Sequence, residues 1–166
     1  MSGIERLTAA DNAAIGRLLQ EAYADYADRV GAEWARMRDG LAQAADRLTS
    51  AEIAGVRGGP SGVDAVVFYF PPGTSDGTIF PRDWASLRLL GVARSARGRG
   101  LSRRLTDWCI ARARYQGATH LGLHTSEAMT TARGLYERMG FVVDGDLPMN
   151  YGLRYWRFRF DLRAEN

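Results

Sequence analysis

Apolar positions along the chain switch between two periods, and the switches outline its elements. Residues 4–7 read as a short first strand. Thr8 followed by Asp11 resembles a capping box, and Ile15, Leu18, Leu19, Ala22, Tyr23 and Tyr26 then fall at helical spacing. A second helix is expected after Gly31, where Trp34, Met37, Leu41, Ala44 and Leu48 alternate steps of three and four. Residues 51–56 and 63–70 read as strands around the turn-rich stretch 57–61. The segment PPGTSDGTIFPRD (71–83), with three prolines and two glycines, is a loop. Residues 84–93 are nearly continuously apolar, as a central strand covered on both faces would be.

Leu101, Leu105, Trp108, Cys109 and Ala113 form a helical stripe that stops near Gly117. Residues 120–125 make another strand, and 131–139 a short helix closed by Gly140, after which Phe141 opens a strand. Residues 155–162 alternate cleanly, with Trp156, Phe158, Phe160 and Leu162 on one face and Tyr155, Arg157, Arg159 and Asp161 on the other. The predicted order is β α α β β β α β α β β, an α/β chain of the α+β mixed-sheet kind with helices on both faces. A right-handed crossover through the helix near 101–117 makes strands 84–93 and 120–125 parallel neighbours.

The chain has 166 residues, so a single domain spanning 1–166 is expected. Its one cysteine, Cys109, excludes an intramolecular disulfide and a multi-thiolate metal site. His120 and His124 share a strand face without convergent geometry, so no metal is expected there. No run reaches 18 apolar residues and the first residues lack a signal peptide's apolar core, so the expectation is a cytoplasmic protein with no membrane partner. Net charge is +3, and all 22 basic residues are arginine. Without lysine there is neither Schiff-base chemistry nor a phosphate-loop lysine, and any anion must be held by arginine or by backbone N–H.

That restriction gives weight to the run GVARSARGRGLSRRL (91–105), where a strand hands over to a helix. A helix N-terminus carries unpaired N–H groups and partial positive charge, glycine lets an anion approach the main chain, and arginine adds forked donors. Arg97 to Arg104 therefore read as a seat for a phosphate-bearing ligand. The same run also reads as a glycine-rich strand–helix turn with solvated arginines. Gly98 and Gly100 are followed by Arg103, so the three-glycine dinucleotide fingerprint is not met.

A second signal lies about 35 residues on, in TTARGLYERMGF (130–141), where Ala132, Leu135, Tyr136 and Met139 share a helical stripe. Together, an arginine–glycine loop before one helix and an A-x-x-L-Y-x-x-x-G-F helix after it resemble the GNAT superfamily of N-acetyltransferases. The resemblance spans about 84 to 143. It implies a mixed, mostly antiparallel sheet with a central parallel strand pair that splays, and acetyl-CoA as cosubstrate in the gap. The pantetheine arm would pair with main-chain groups around Leu90, Val92 and Arg94. The pyrophosphate would lie on the amides of Arg97, Gly98, Arg99, Gly100, Leu101, Ser102 and Arg103. Tyr136 matches the tyrosine beside the CoA sulfur, where it assists the departing thiolate.

Three positions depart from the family's pattern. Ser102 stands where a glycine or alanine is usual, and its hydroxyl can itself donate to a phosphate. Met129 replaces an asparagine that bonds the cofactor arm in many relatives. Ser86 occupies the place of a glutamate base, and a serine has no useful basicity unaided. The proton of the acceptor amine then leaves through another group (Asp83, Glu127 and His124 are candidates), through water, or before binding.

The resemblance implies transfer of an acetyl group to a primary amine of a small molecule, peptide or protein N-terminus. Tyr23, Tyr26, Trp34 and Met37 can form an aromatic wall and Glu21, Asp25 and Asp28 can attract a cation; they equally fit a core stripe and a solvated face. The 71–83 loop fits a lid or an ordinary connection. Ser86 and Met129 also admit a CoA-binding regulator or an inactive relative. The arginine–glycine run admits a nucleic-acid module, but no aromatic residues interleave with it, so nucleic acid is not an expected partner. A homodimer is left open.

Overall fold

A computed structural model describes residues 3–75 and 77–164. Seven strands form one mixed sheet in the order β1-β2-β3-β4-β5-β7-β6. They are β1 (Glu5–Arg6), β2 (Glu52–Arg57), β3 (Val63–Phe70), β4 (Ala85–Val92), β5 (His120–Ser126), β6 (Val142–Asn150) and β7 (Leu153–Asp161). The helices are α1 (Asn12–Tyr23), α2 (Ala27–Val30), α3 (Trp34–Arg47), α4 (Leu101–Tyr115) and α5 (Thr130–Met139). The expected order holds with one addition, the four-residue α2. Only β4 and β5 pair in parallel; the other neighbours are antiparallel.

Local chemistry explains where the elements stop. The Asp11 carboxylate accepts from the Thr8 amide at 2.8 Å, as the capping-box spacing anticipates, but the turn it closes is the 3-10 turn Ala9–Asp11 that precedes α1. The helical stripe that the sequence carries through Tyr26 breaks at Tyr23. A 3-10 turn (Ala24–Tyr26), then α2, then Gly31 at φ 64° redirect the chain into α3. Leu48, expected on α3, lies just past its end. Residue 76, inside the 71–83 loop, falls outside the described residues.

Helices cover both faces of the sheet. Val66 of β3 lies near Gly91, whose missing side chain lets Leu19 and Ala22 of α1 approach. Three residues along β3, hence on the opposite face, Tyr69 meets Trp108 of α4 edge-on with ring centroids 5.9 Å apart. The core between these layers includes Ile15, Leu18, Leu19, Phe68, Tyr69 and Leu105, all fully buried.

The parallel junction is short. β4 and β5 pair only at Ala85–Leu121 and Ser86–Gly122, and beyond that the strands part. A bulge accompanies the parting. Val66 pairs with Gly91 and Phe68 with Arg88, so Leu89 and Leu90 together oppose the single residue Val67. Leu89 takes φ 55°, a left-handed conformation that costs a leucine on the order of 1–3 kcal/mol. The surrounding sheet holds that strain, and the bend turns β4 away from β5.

Candidate active site

The gap between the parted strands opens into a cleft of about 640 Å³. Its walls come from β4 (Leu87 to Val92), the end of α1 with the following turn (Ala22, Tyr23, Tyr26), the start of α4, and α5. A second cavity of about 300 Å³ is bounded by Phe70, Ser86 and the 71–83 loop. Arg88 and His124 line both cavities, so the two meet where the strands divide.

At one end of the large cleft stands the N-terminus of α4. Its first residue follows Gly100, which holds φ 71°, and no side chain caps it. The first intrahelical bond here is donated by Arg104 to the Gly100 carbonyl at 3.0 Å, which leaves the amides of Leu101, Ser102 and Arg103 outside the helix's own pattern. Gly98 is also left-handed, at φ 81°, and a Cβ on either glycine would meet no protein atom within 4 Å. The main chain there is open, with the helix's positive end facing the cleft.

The arginines of this loop are engaged in the free protein. Asp25 accepts from Arg97 at 2.7 Å and from Arg94 at 3.0 Å, and these bonds, Arg97's first, hold its carboxyl below the ordinary range. The Glu21 carboxylate accepts from the Arg94 amide at 3.3 Å. Arg99 lies 3.4 Å from Asp64, and Arg103 lies 3.9 Å from Asp107. Asp25 and Glu21 therefore serve the arginine loop, rather than the separate cation-attracting face weighed from sequence.

Of the residues singled out for the ligand, Leu90, Val92, Arg97, Gly98, Gly100, Leu101, Ser102 and Arg103 line the large cleft; Arg94 and Arg99 stand outside its wall. Tyr136, from α5, is buried with its ring tilted against Phe141 at 5.5 Å, and it lines the same cleft. Burial pushes its hydroxyl pKa well up, so the group keeps its proton. Met129 precedes α5, lines the cleft and offers its sulfur to the Thr125 hydroxyl at 3.5 Å. Tyr23 and Tyr26 face the cleft as an edge-to-face pair, whereas Met37 is core.

Ser86 is buried at the last parallel pair and lines the smaller cavity. Among the three candidate bases, only His124 reaches a cavity. Thr119 donates to the Asp83 carboxylate at 3.2 Å at the far end of β4, and Glu127 faces Arg29 at 3.9 Å. The His124 ring stacks on Phe80 at 6.3 Å. Burial first, then the Arg88 charge, push its pKa down to about 4, so the imidazole is neutral near pH 7. The 71–83 loop is tied down, with Phe80 buried over Gly122 and the Ile79 carbonyl accepting from Arg157 at 2.9 Å.

Sequence reasoning passed over Arg88. It is the lone charge in the apolar strand ASLRLLGV, and that isolation was the available signal. Among the described residues, no helix is long and apolar enough to cross a membrane, and no group of three His, Cys, Asp or Glu side chains is placed to hold a metal.

The acetyltransferase (GNAT) family model matches residues 63–141. Among curated proteins none matches the chain. Solved structures share its fold along nearly the whole length. The structure described as histone acetyltransferase HPA2 and related acetyltransferase from Corynebacterium glutamicum is 24% identical with a TM-score of 0.72, over 96% of each chain. The ribosomal-protein-S18-alanine N-acetyltransferase from Escherichia coli is 17% identical with a TM-score of 0.67, over 100% of this chain and 97% of that one. The structure of yncA from Salmonella typhimurium, solved with its cofactor acetyl-CoA, is 19% identical with a TM-score of 0.68, over 100% of this chain and 96% of that one. The matched stretch runs from β3 through the uncapped helix to Phe141, just under half of the chain, so this part resembles the GNAT acetyltransferases and the sheet around it shares their fold.

Proposed function

We propose that this protein transfers the acetyl group of acetyl-CoA to a primary amine by direct attack in a ternary complex. The observation that carries the reading is the uncapped start of α4 opening onto a cleft that runs to the parted strands and Tyr136. The open amides and bare glycines from Arg97 to Arg103 fit a diphosphate. The edge of β4 beyond Ser86, freed from β5, fits the amide-bearing arm that follows it, paired around Leu90 and Val92. The thioester then lies in the gap and the amine enters from the smaller cavity.

The amine nitrogen attacks the thioester carbon, a C–N bond forms, and the C–S bond breaks. A main-chain N–H near Val92 stabilises the charge that develops on the carbonyl oxygen. His124, neutral and lining both cavities, takes the proton from the attacking nitrogen. Tyr136 donates its proton to the departing thiolate and recovers one from solvent. Holding both reactants in one cleft supplies much of the remaining rate.

A second reading has its own observation. Asp25 is the one carboxylate lining either cavity among the described residues, and it sits at the arginine loop. A CoA-binding protein without turnover fits that absence of a carboxylate base. Calorimetry with acetyl-CoA, followed by thiol release across a panel of small amines, peptides and protein N-termini, separates the two. Binding with turnover supports the transferase, and binding with no turnover on any acceptor supports the regulator. No binding rejects both.

A further inference from the structure

Among the described residues, Arg88 is a cation without a counter-ion. Its Nε is buried and makes no hydrogen bond, and no carboxylate among the described residues pairs with it. Its guanidinium carbon stands over the Phe70 ring, 5.8 Å from the centroid. A half-buried guanidinium keeps its charge, and burial without a partner is costly unless a ligand completes the site. The other arginines that touch the large cleft's loop have acids beside them, as Arg97 has Asp25. Arg88 differs, and it stands at the junction of the two cavities.

The smaller cavity has a matching character. The hydroxyl residues Ser50, Ser75 and Ser86 and the rings of Phe70 and Phe80 line it, and no acid among the described residues does. A polyamine or other multiply cationic acceptor would meet Arg88 there with nothing to offset the repulsion. A carboxylate would meet a forked donor at bidentate spacing, with hydroxyls for its remaining lone pairs. Resting on the transferase reading above, we infer that the acceptor is a small amino acid whose carboxylate is seated on Arg88 while its amine points at the thioester.

The test uses amino acids with the amine α, β or γ to the carboxylate, each paired with its carboxamide, and two variants, Arg88→Met and Arg88→Lys. Steady-state thiol release and calorimetry are both run, the latter with free CoA bound. A buried polar site left unpaired discriminates steeply, so at least one amino acid is expected to exceed its carboxamide in kcat/KM by about a hundredfold or more. Arg88→Met should erase that preference through KM, leaving acetyl-CoA affinity as in the parent, which also reports an intact fold. Arg88→Lys should restore part of it.

Equal use of amino acids and carboxamides would overturn the inference while leaving the transferase intact. So would a loss of acetyl-CoA affinity in Arg88→Met, which would put the guanidinium on the cosubstrate. If no acceptor turns over but amino acids bind and carboxamides do not, with the difference lost in Arg88→Met, the carboxylate seat stands and the transferase reading falls.

Discussion

Asp25 holds Arg97 at 2.7 Å, joining the turn after α1 to the loop before α4 across 72 residues of sequence. The carboxylate stands where a diphosphate would claim the same guanidinium. Exposed pairs of this kind contribute about 0.2–1 kcal/mol, and the acid also repels an incoming phosphate. Asp25→Asn should therefore tighten acetyl-CoA binding by about two- to fivefold at low salt, with the gain shrinking as salt rises. Calorimetry at two ionic strengths measures it; weaker binding in the variant would mean that Asp25 positions the arginines instead of competing for them.

Tyr136 keeps its proton because it is buried, and it lines the cleft. If it serves the departing thiolate, Tyr136→Phe should lower kcat by about ten- to a hundredfold and leave acetyl-CoA affinity unchanged, the range for a single proton-transfer group. Single-turnover kinetics isolates the chemical step. An unchanged rate there would reduce Tyr136 to a packing partner of Phe141.

The parts of this site that were legible in the sequence share a cause: backbone demands that only certain residues meet. Gly98 and Gly100 are both left-handed, and their spacing marked the α4 start. Gly140 closes α5 at φ 104°, as its place after Met139 implied. The bulge at Leu89 left no such mark, because the sheet imposes a left-handed conformation on a leucine and no glycine announces it. The four-residue α2 is too short to show a period. Contacts such as Asp25 with Arg97, and the isolation of Arg88, depend on which elements the topology brings together. Glu21 and Asp25, read in sequence as part of an acidic helix face, therefore looked like an independent feature until the fold placed them beside the arginines.

Gly100 separates backbone strain from ligand space. At φ 71°, an alanine costs about 1–2 kcal/mol of stability, yet its Cβ touches no protein atom. If a diphosphate occupies that space, Gly100→Ala should weaken acetyl-CoA binding by about tenfold or more, beyond what strain alone does. Gly73, at φ 87° in the 71–83 loop and equally free of neighbours, is the control. Gly73→Ala should lose comparable stability and no affinity. Equal affinity loss in both variants would show that the effect is general loosening.

His124 predicts how the free protein responds to acid. Its pKa is pushed down to about 4 in the fold, against about 6.5 in an unfolded chain. Between those values the unfolded chain binds the extra proton and the folded one does not, so stability rises with pH across that window and falls as pH drops from about 6.5 toward 4. Below about 4 both states carry the proton and this contribution stays flat. The full shift corresponds to about 3 kcal/mol, an upper bound because the ring is half-buried and partly screened. His120, lowered by burial at the other end of β5, acts in the same direction, so the comparison is between variants. His124→Gln should flatten the slope of unfolding free energy between pH 4 and 6.5, whatever its effect on stability at pH 7. Denaturant melts at pH 4.5, 5.5 and 7 give that slope. An unchanged slope would place the acid sensitivity on His120 and leave His124 accessible to protons in the free protein.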